Sequence, residues 1–397
     1  MKNSLLKKRL SALLNRRRQQ NTLRQAKHYP HLVDFCSNDY LGVSQSQAVK
    51  QLTWEILNSA NSKTGATGSR LLTGHYPLLE ETEKYLAHFH KATSALIFNS
   101  GYDANLSLLG SLSRKRDLIL YDELVHASIY DGMKLSKAQQ ISFRHNSTED
   151  LEHKLIHHKK KEQVIFILIE SVYSMDGDRA PLEPIAQLSE KYRAHLIVDE
   201  AHSTGIYGMY GEGLCVNAGI EQKVFARVHT FGKAIGGHGA AVLGSSLLIE
   251  FLFNYARPLI YTTALPPHSI AHVLATYQLL SEQGRKWISA LQTKINIFKG
   301  LLSPRIKSRL LPSDSPIQSL VVGGNEQTKQ IARAVREEGF DIRPILGPAV
   351  PTGTERLRIC LHRFNTNEEL RNLCALLNTL STRPLVDFLR SVKPTGL

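Results

Sequence analysis

Through the middle of the chain, short apolar runs alternate with longer stretches of helical periodicity. The runs Ala95 to Asn99, Leu118 to Tyr121, Val164 to Glu170, His195 to Asp199, Val224 to His229 and Ala240 to Leu243 have the length of strands. Strand and helix taking turns leaves few folds open, and the one it favours is a mostly parallel sheet with helices on both faces. Several runs end in a polar residue followed by a turn, and open α/β sheets bind ligands beyond the carboxyl ends of their strands. Around Arg257-Pro258 and Pro266-Pro267 the rhythm changes. One long helix is predicted from about Ser269 to Leu302. A smaller unit follows: strand Ile317 to Val322, helix Glu326 to Glu338, strand Asp341 to Ile345, a Pro/Gly loop, strand Arg356 to Leu361 and helix Asn367 to Leu380. The expected division is 1–45 as a basic helix and arm, 46–285 as the large domain and 286–397 as a small α+β domain.

Apolar residues at 42% and charged residues at 21% are those of an ordinary globular chain, but 49 Lys and Arg stand against 35 Asp and Glu, a net charge of +14. Such a surface favours polyanionic partners: nucleic acid, a phosphate-rich cofactor, coenzyme A or an acidic carrier protein. Cys36, Cys215, Cys360 and Cys374 form no C-x-x-C pair, which argues against a zinc ribbon or a disulfide framework and fits a reducing cytosol. No apolar run approaches the roughly 18 to 20 residues of a membrane helix, so a soluble, cytoplasmic chain is expected. Met1 to Val33 is rich in Lys and Arg and has no acid, a composition shared with transit peptides. Leu5, Leu6, Leu10, Leu13 and Leu14 recur there at helical spacing, and the plainer reading is an amphipathic helix lying on the body with its basic face in solvent.

Asp199-Glu200-Ala201-His202 spells the signature of a class of nucleic-acid helicases, and the basic charge invites that reading. A helicase also needs the phosphate-binding loop G-x-x-x-x-G-K-[ST]. The pair Gly232-Lys233 has Arg227 where the first glycine should stand and Ala234 where the hydroxyl should stand, so the loop is absent. No G-x-G-x-x-G follows a strand to open a dinucleotide site. Neighbours on a strand point to opposite faces, so Asp199 and Glu200 do not share a metal ion easily.

Pyridoxal phosphate asks a protein for a lysine, a carboxylate on the pyridine nitrogen, a flat group over the ring and an anion site, and each has a candidate at a strand end. Asp199 suits the ring nitrogen, and His202, in the following turn, could donate to the phenolic oxygen. Lys233 sits in a glycine-rich loop, His229 to Gly239, that lets a cofactor approach the backbone. Asn99 to Asn105 marks a strand end running into a helix, where free amides and the helix dipole favour a phosphate. His126 and Ser174 follow two further strand ends, and His126 could stack on the ring.

Taken together these segments resemble the α-oxoamine synthase family of fold-type I pyridoxal-phosphate enzymes, over nearly the whole chain. The resemblance rests on Phe35 to Gly42, Gly65 to Gly74, Ser174 to Asp178, Val198 to His202, Thr230 to Lys233, Val350-Pro351 and Arg356-Leu357-Arg358. It implies a large domain with a mostly parallel seven-stranded sheet and a small C-terminal α+β domain. It implies that Lys233 joins the cofactor and removes the α-proton, that Asp199 binds the pyridine nitrogen, that His202 binds the phenolic oxygen and that His126 stacks on the ring beside substrate. Gly101, Tyr102, Ser174 and Thr230 would line the cofactor and its phosphate. Asn38 and Arg358 would hold the amino acid carboxylate, and Arg24 would contact the acyl group. Thr262 and Thr263 match a segment that reaches the phosphate of a neighbouring subunit, which implies a homodimer with shared sites. Many members carry a threonine before Val-Pro, where Ala349 stands here, so one hydroxyl contact to substrate is lost. The implied activity is acyl transfer: L-alanine condensed with a pimeloyl thioester of coenzyme A or acyl carrier protein. Siblings join glycine to acetyl or succinyl thioesters, or serine to a palmitoyl thioester. Neither a metal, a nucleic acid nor a membrane is an expected partner.

Overall fold

The computed structural model describes residues 2–20, 22–26, 29–158, 160 and 163–382. These fall into two compact units. The large one holds residues 38–293 with 362–364, and the small one holds the chain before residue 38, residues 294–361 and the chain from 365 on. Residues 383–397, which the sequence reading puts in the small domain, lie outside the described residues.

The large unit is built on a seven-stranded sheet. Its strands are β1 (Ser94–Phe98), β2 (Leu118–Asp122), β3 (Gln139–Phe143), β4 (Ile165–Glu170), β5 (His195–Asp199), β6 (Ala226–Thr230) and β7 (Ala240–Gly244). They lie side by side in the order β1-β7-β6-β5-β4-β2-β3. Only β7 runs antiparallel to its neighbours, so the other six share one carboxyl edge. All six residues of β4 are buried, as a continuous Ile/Phe/Leu run requires when helices cover both faces of a parallel strand. Leu168, Ile197, Val228, Ile119 and Leu108 belong to one apolar core, each contributing about 1.5–3 kcal/mol by leaving water. The edge strand β3 escapes sequence reading because Gln139, Gln140 and Ser142 give it no apolar run.

In the small unit β8 (Ile317–Val321), β9 (Arg343–Ile345) and β10 (Arg356–Cys360) form an antiparallel sheet in the order β9-β10-β8. The single strand predicted at Asp341 to Ile345 is divided: Phe340–Asp341 pairs instead with Val33–Asp34. The long helix runs Pro267–Leu301. The N-terminal helix, Lys2–Gln19, forms where its leucine spacing predicts, but its stripe is not buried against this chain. Leu5, Leu6, Leu10, Leu13 and Leu14 are 45–77% exposed, which corrects the expectation of a helix laid on the body. Periodicity gives a helix its apolar face and does not say what that face meets. Among the described residues, no helix is long and apolar enough to cross a membrane.

Candidate active site

Asp199 ends β5 with only 7% of its surface exposed, and both of its carboxylate oxygens are held. Oδ1 accepts from the Ala201 amide at 2.9 Å and Oδ2 from Asn105 Nδ2 at 2.8 Å. Asn105 reaches it from the helix Gly101–Leu112, which starts where β1 ends. Ser100 caps that helix, accepting from the Asp103 amide at 3.0 Å and donating to Asp103 Oδ2 at 2.8 Å. The amides of Gly101 and Tyr102 come before the first intrahelical bonds, so they are the ones available to an anion. A Cβ on Gly101 would lie 2.4 Å from Thr230 Oγ1 at the end of β6, so the missing side chain lets the helix start approach that hydroxyl.

A second bond from Asn105 carries the network on to His126. Asn105 Nδ2 also donates to Ser128 Oγ at 2.9 Å, and Ser128 meets His126 Nδ1 twice, through its hydroxyl at 2.8 Å and its amide at 3.2 Å. An amide can only donate, so Nδ1 is an acceptor and the ring hydrogen of neutral His126 sits on Nε2. Burial pushes this imidazole below its ordinary range, with Asp199 opposing the shift and Lys233 adding to it. Glu170, beside Asp199 in the β4–β5 register, is pushed well above the carboxylate range, first by burial and then by the Asp199 charge, while Lys233 pulls it back. Its Oε1 is buried with no hydrogen-bond partner in the structure. The fields of Asp199 and Lys233 thus meet at the ends of β4 and β5, next to a helix start with amides to give.

Lys233 is half-buried in a loop closed by Gly237 N–H to the Phe231 carbonyl and Phe231 N–H to the Gly239 carbonyl, both at 2.9 Å. Gly236 turns within it at φ +62°, where a side chain would also strike the Ser44 amide at 2.5 Å. His202, the residue after Ala201, is buried, its Nδ1 2.8 Å from the Tyr40 hydroxyl, which also meets Asn38 Oδ1 at 3.1 Å. Thr262 and Thr263 are tethered to Asn99 of the same chain: Asn99 Nδ2 donates to Thr262 Oγ1 at 3.2 Å and to the Thr263 carbonyl at 2.9 Å. The Tyr102 ring is 42% exposed and its hydroxyl bonds Asp131, so its amide is the part left for a phosphate. Ser174 lies in the turn after β4. The remaining residues named from sequence belong to the small unit: Arg24 is exposed beyond the N-terminal helix, Ala349 is exposed in the loop before β10, and Arg358 sits in β10 with Nη1 2.8 Å from Cys360 Sγ.

Residues 30–377 match the family model for aminotransferase class I and II. The chain belongs to that family. An 8-amino-7-oxononanoate synthase of Emericella nidulans is 40% identical over 374 residues, 88% of this chain and 89% of its own length. Among solved structures, a serine palmitoyltransferase from S. paucimobilis with bound pyridoxal phosphate and myriocin is similar with a TM-score of 0.82 at 28% identity, covering 93% of this chain and 96% of its own. An 8-amino-7-oxononanoate synthase from Francisella tularensis is similar with a TM-score of 0.74 at 29% identity, covering 88% and 98%. The fold expected from the motifs, that of the fold-type I transferases, is therefore the fold of this family member.

Sequence reasoning passed over Asn105, Ser128, Tyr40 and Glu170. The available signal for Asn105 was its place one helical turn after Gly101, a polar residue on a face of Ala104, Leu108 and Leu109. Asn105→Ala would leave an oxygen of Asp199 and the Ser128 hydroxyl without their buried donor. The expected cost is about 1–3 kcal/mol of stability, read from thermal unfolding, with a fall in kcat/KM larger than that of a surface Asn→Ala control.

The turn that carries Ser174 has its own clamp. His145 Nδ1 meets Asp122 Oδ1 at 3.0 Å and its Nε2 meets Asp178 Oδ2 at 2.7 Å. Burial works against charge on this ring, but the hydrogen bonds and charges of the two aspartates outweigh it and raise His145 to about 10. A raised histidine stabilises the fold fully below its unfolded pKa, about 6.5, and loses that contribution as pH climbs through the folded value. Thermal unfolding of wild type and His145→Gln should therefore differ most below about pH 6.5 and converge as the pH passes about 10. A gap that widened with rising pH would contradict the clamp.

Proposed function

We propose that this chain is a pyridoxal-phosphate-dependent acyltransferase that condenses L-alanine with a pimeloyl thioester to 8-amino-7-oxononanoate, releasing carbon dioxide and the free thiol, in biotin synthesis. The observation that carries the reading is the cradle at the carboxyl edge of the sheet. There a held carboxylate, Asp199, stands across Asn105 from a helix start whose Gly101 meets the Thr230 hydroxyl. An aromatic cation with a phosphate on its far side fits that donor set. When bound, the cofactor supplies a charged ring that draws off the electron pair left on the amino acid's α-carbon.

The chain's own residues do the rest. Asp199, with both oxygens already accepting, keeps the ring nitrogen protonated. Lys233 anchors the cofactor covalently, and its amine takes the α-proton. His126, neutral with its hydrogen on Nε2, is the flat group against the ring. His202 serves the phenolic oxygen. The amides of Gly101 and Tyr102 with Ser174 and Thr230 hold the phosphate. Asn38 is assigned to the amino acid carboxylate, as is Arg358, whose planar fork can bond both oxygens. Arg24 is assigned to the acyl group, and Ala349 leaves that end one hydroxyl poorer than the family pattern. Two copies sharing their sites through Thr262 and Thr263 account for the exposed Leu71, Leu72 and Tyr261 in the neighbouring loops. Four free cysteines fit a cytosolic enzyme, and the net charge of +14 suits a phosphate-rich or acidic acyl carrier, coenzyme A or a carrier protein.

A second reading, L-serine or glycine with another acyl thioester, draws on the likeness to serine palmitoyltransferase. The 40% identity to the Emericella nidulans synthase weighs against it. The test is thiol release from L-alanine, glycine and L-serine, each offered pimeloyl, acetyl, succinyl and palmitoyl thioesters. L-Alanine with pimeloyl should be fastest, and a faster pair elsewhere in the panel would overturn the assignment.

A further inference from the structure

The sequence motif around Asn38 supplies a residue to which neither the resemblance nor the proposed reaction gives a role. Tyr40 is fully buried, and its hydroxyl is the meeting point of two groups with separate assignments: Asn38 Oδ1 at 3.1 Å and His202 Nδ1 at 2.8 Å. The loop holds it there firmly. Asp39 Oδ1 accepts from the Val43 amide at 2.9 Å, and the Tyr40 carbonyl accepts from the Arg363 amide at 2.8 Å.

We propose that Tyr40 is a positioning residue whose hydroxyl couples the amino acid's carboxylate, at Asn38, to the hydrogen-bonding state of His202 at the cofactor. This rests on the roles given above to Asn38 and His202. A hydroxyl has one proton to give. If it donates to Asn38 Oδ1, its oxygen must accept from Nδ1–H, and Nε2 of the neutral ring becomes an acceptor. If it donates to Nδ1, the ring hydrogen is on Nε2, and Asn38 must turn its NH2 toward the hydroxyl oxygen. The two arrangements exclude each other. A carboxylate at Asn38 accepts from that NH2, leaves the carbonyl facing Tyr40 and selects the first arrangement. Tyr40 and the neutral ring carry two protons in either arrangement, so the ring's hydrogen changes place, an N–H bond breaking at Nε2 as one forms at Nδ1, and toward the cofactor's phenolic oxygen Nε2 turns from hydrogen-bond donor to acceptor. Substrate occupancy is thereby reported to the cofactor through a single oxygen atom.

Tyr40→Phe removes that oxygen and keeps the ring that fills the core. The experiment adds propionate, a carboxylate without an amine, to the pyridoxal-phosphate-loaded enzyme and follows its visible absorbance band. In wild type, saturating propionate should move the band; in Tyr40→Phe it should compete with L-alanine but leave the band in place. The variant's KM for L-alanine should rise by up to about tenfold, the factor of one lost hydrogen bond, with a smaller change in kcat. A wild-type band that ignores competing propionate, or a Tyr40→Phe band that still responds, overturns the coupling. Should Tyr40→Phe not fold, Asn38→Ala decides: with the Asn38 carbonyl gone the Tyr40 hydroxyl is left to donate to His202 Nδ1, so propionate must leave the band of this variant in place. A band that still moves with propionate overturns the proposal. A wild-type protein that gains no visible band with pyridoxal phosphate would instead sink the proposed function itself.

Discussion

Lys233→Ala is expected to be the most damaging single substitution in the chain. In the proposed reaction two duties end with that amine: the covalent hold on the cofactor and the removal of the α-proton. Loss of a positioned general base alone costs about 10²–10⁴-fold. Neither His126 nor Glu170 is suited to take over. His126 has its basic nitrogen, Nδ1, committed to Ser128, and Glu170 is pushed well above the carboxylate range by burial and by the Asp199 charge, which favours its neutral acid. Turnover of L-alanine and pimeloyl thioester should fall below detection, and the visible band of the loaded enzyme should change even where cofactor is retained. The fold should survive, because backbone bonds of Phe231, Gly237 and Gly239, which the substitution leaves in place, close the loop. Turnover near wild type would remove Lys233 from the chemistry.

Asp199→Asn is expected to separate binding from carbanion formation. Each carboxylate oxygen accepts one bond, from Ala201 and from Asn105. An asparagine has a single acceptor oxygen, so one donor loses its partner as the charge beside the ring nitrogen disappears. Removing one preorganised electrostatic contact of this kind costs about 10²–10³ in rate. Cofactor should still bind, since the amides of Gly101 and Tyr102 and the hydroxyl of Thr230 are untouched. The direct readout is exchange of the L-alanine α-hydrogen for solvent deuterium, which reports the carbanion without the thioester. Exchange near the wild-type rate would refute the role of Asp199 as the group that keeps the ring charged.

How far the sequence announced this arrangement depends on the range of each contact. Asp199 and Thr230 were legible because they end apolar runs in a parallel sheet, and chain order alone puts such ends on one edge. Asn105, Ser128 and Tyr40 were not, because their meaning lies in partners far along the chain. Asn105 finds Asp199 across 94 positions and Tyr40 finds His202 across 162. No local pattern encodes those meetings. His145 was missed for the same reason, one of its aspartates ending β2 and the other lying in the loop after β4. The leucines of Lys2–Gln19 predicted a helix correctly and its burial wrongly, since an amphipathic face does not name what covers it.

The central claim is that one amine, at position 233, holds pyridoxal phosphate beside Asp199. Reducing the loaded enzyme with borohydride fixes the cofactor to whichever lysine holds it, and mass spectrometry of the digested protein then finds the residue. The account requires the phosphopyridoxyl mass on Lys233. The same mass on another lysine, or on none, would contradict it.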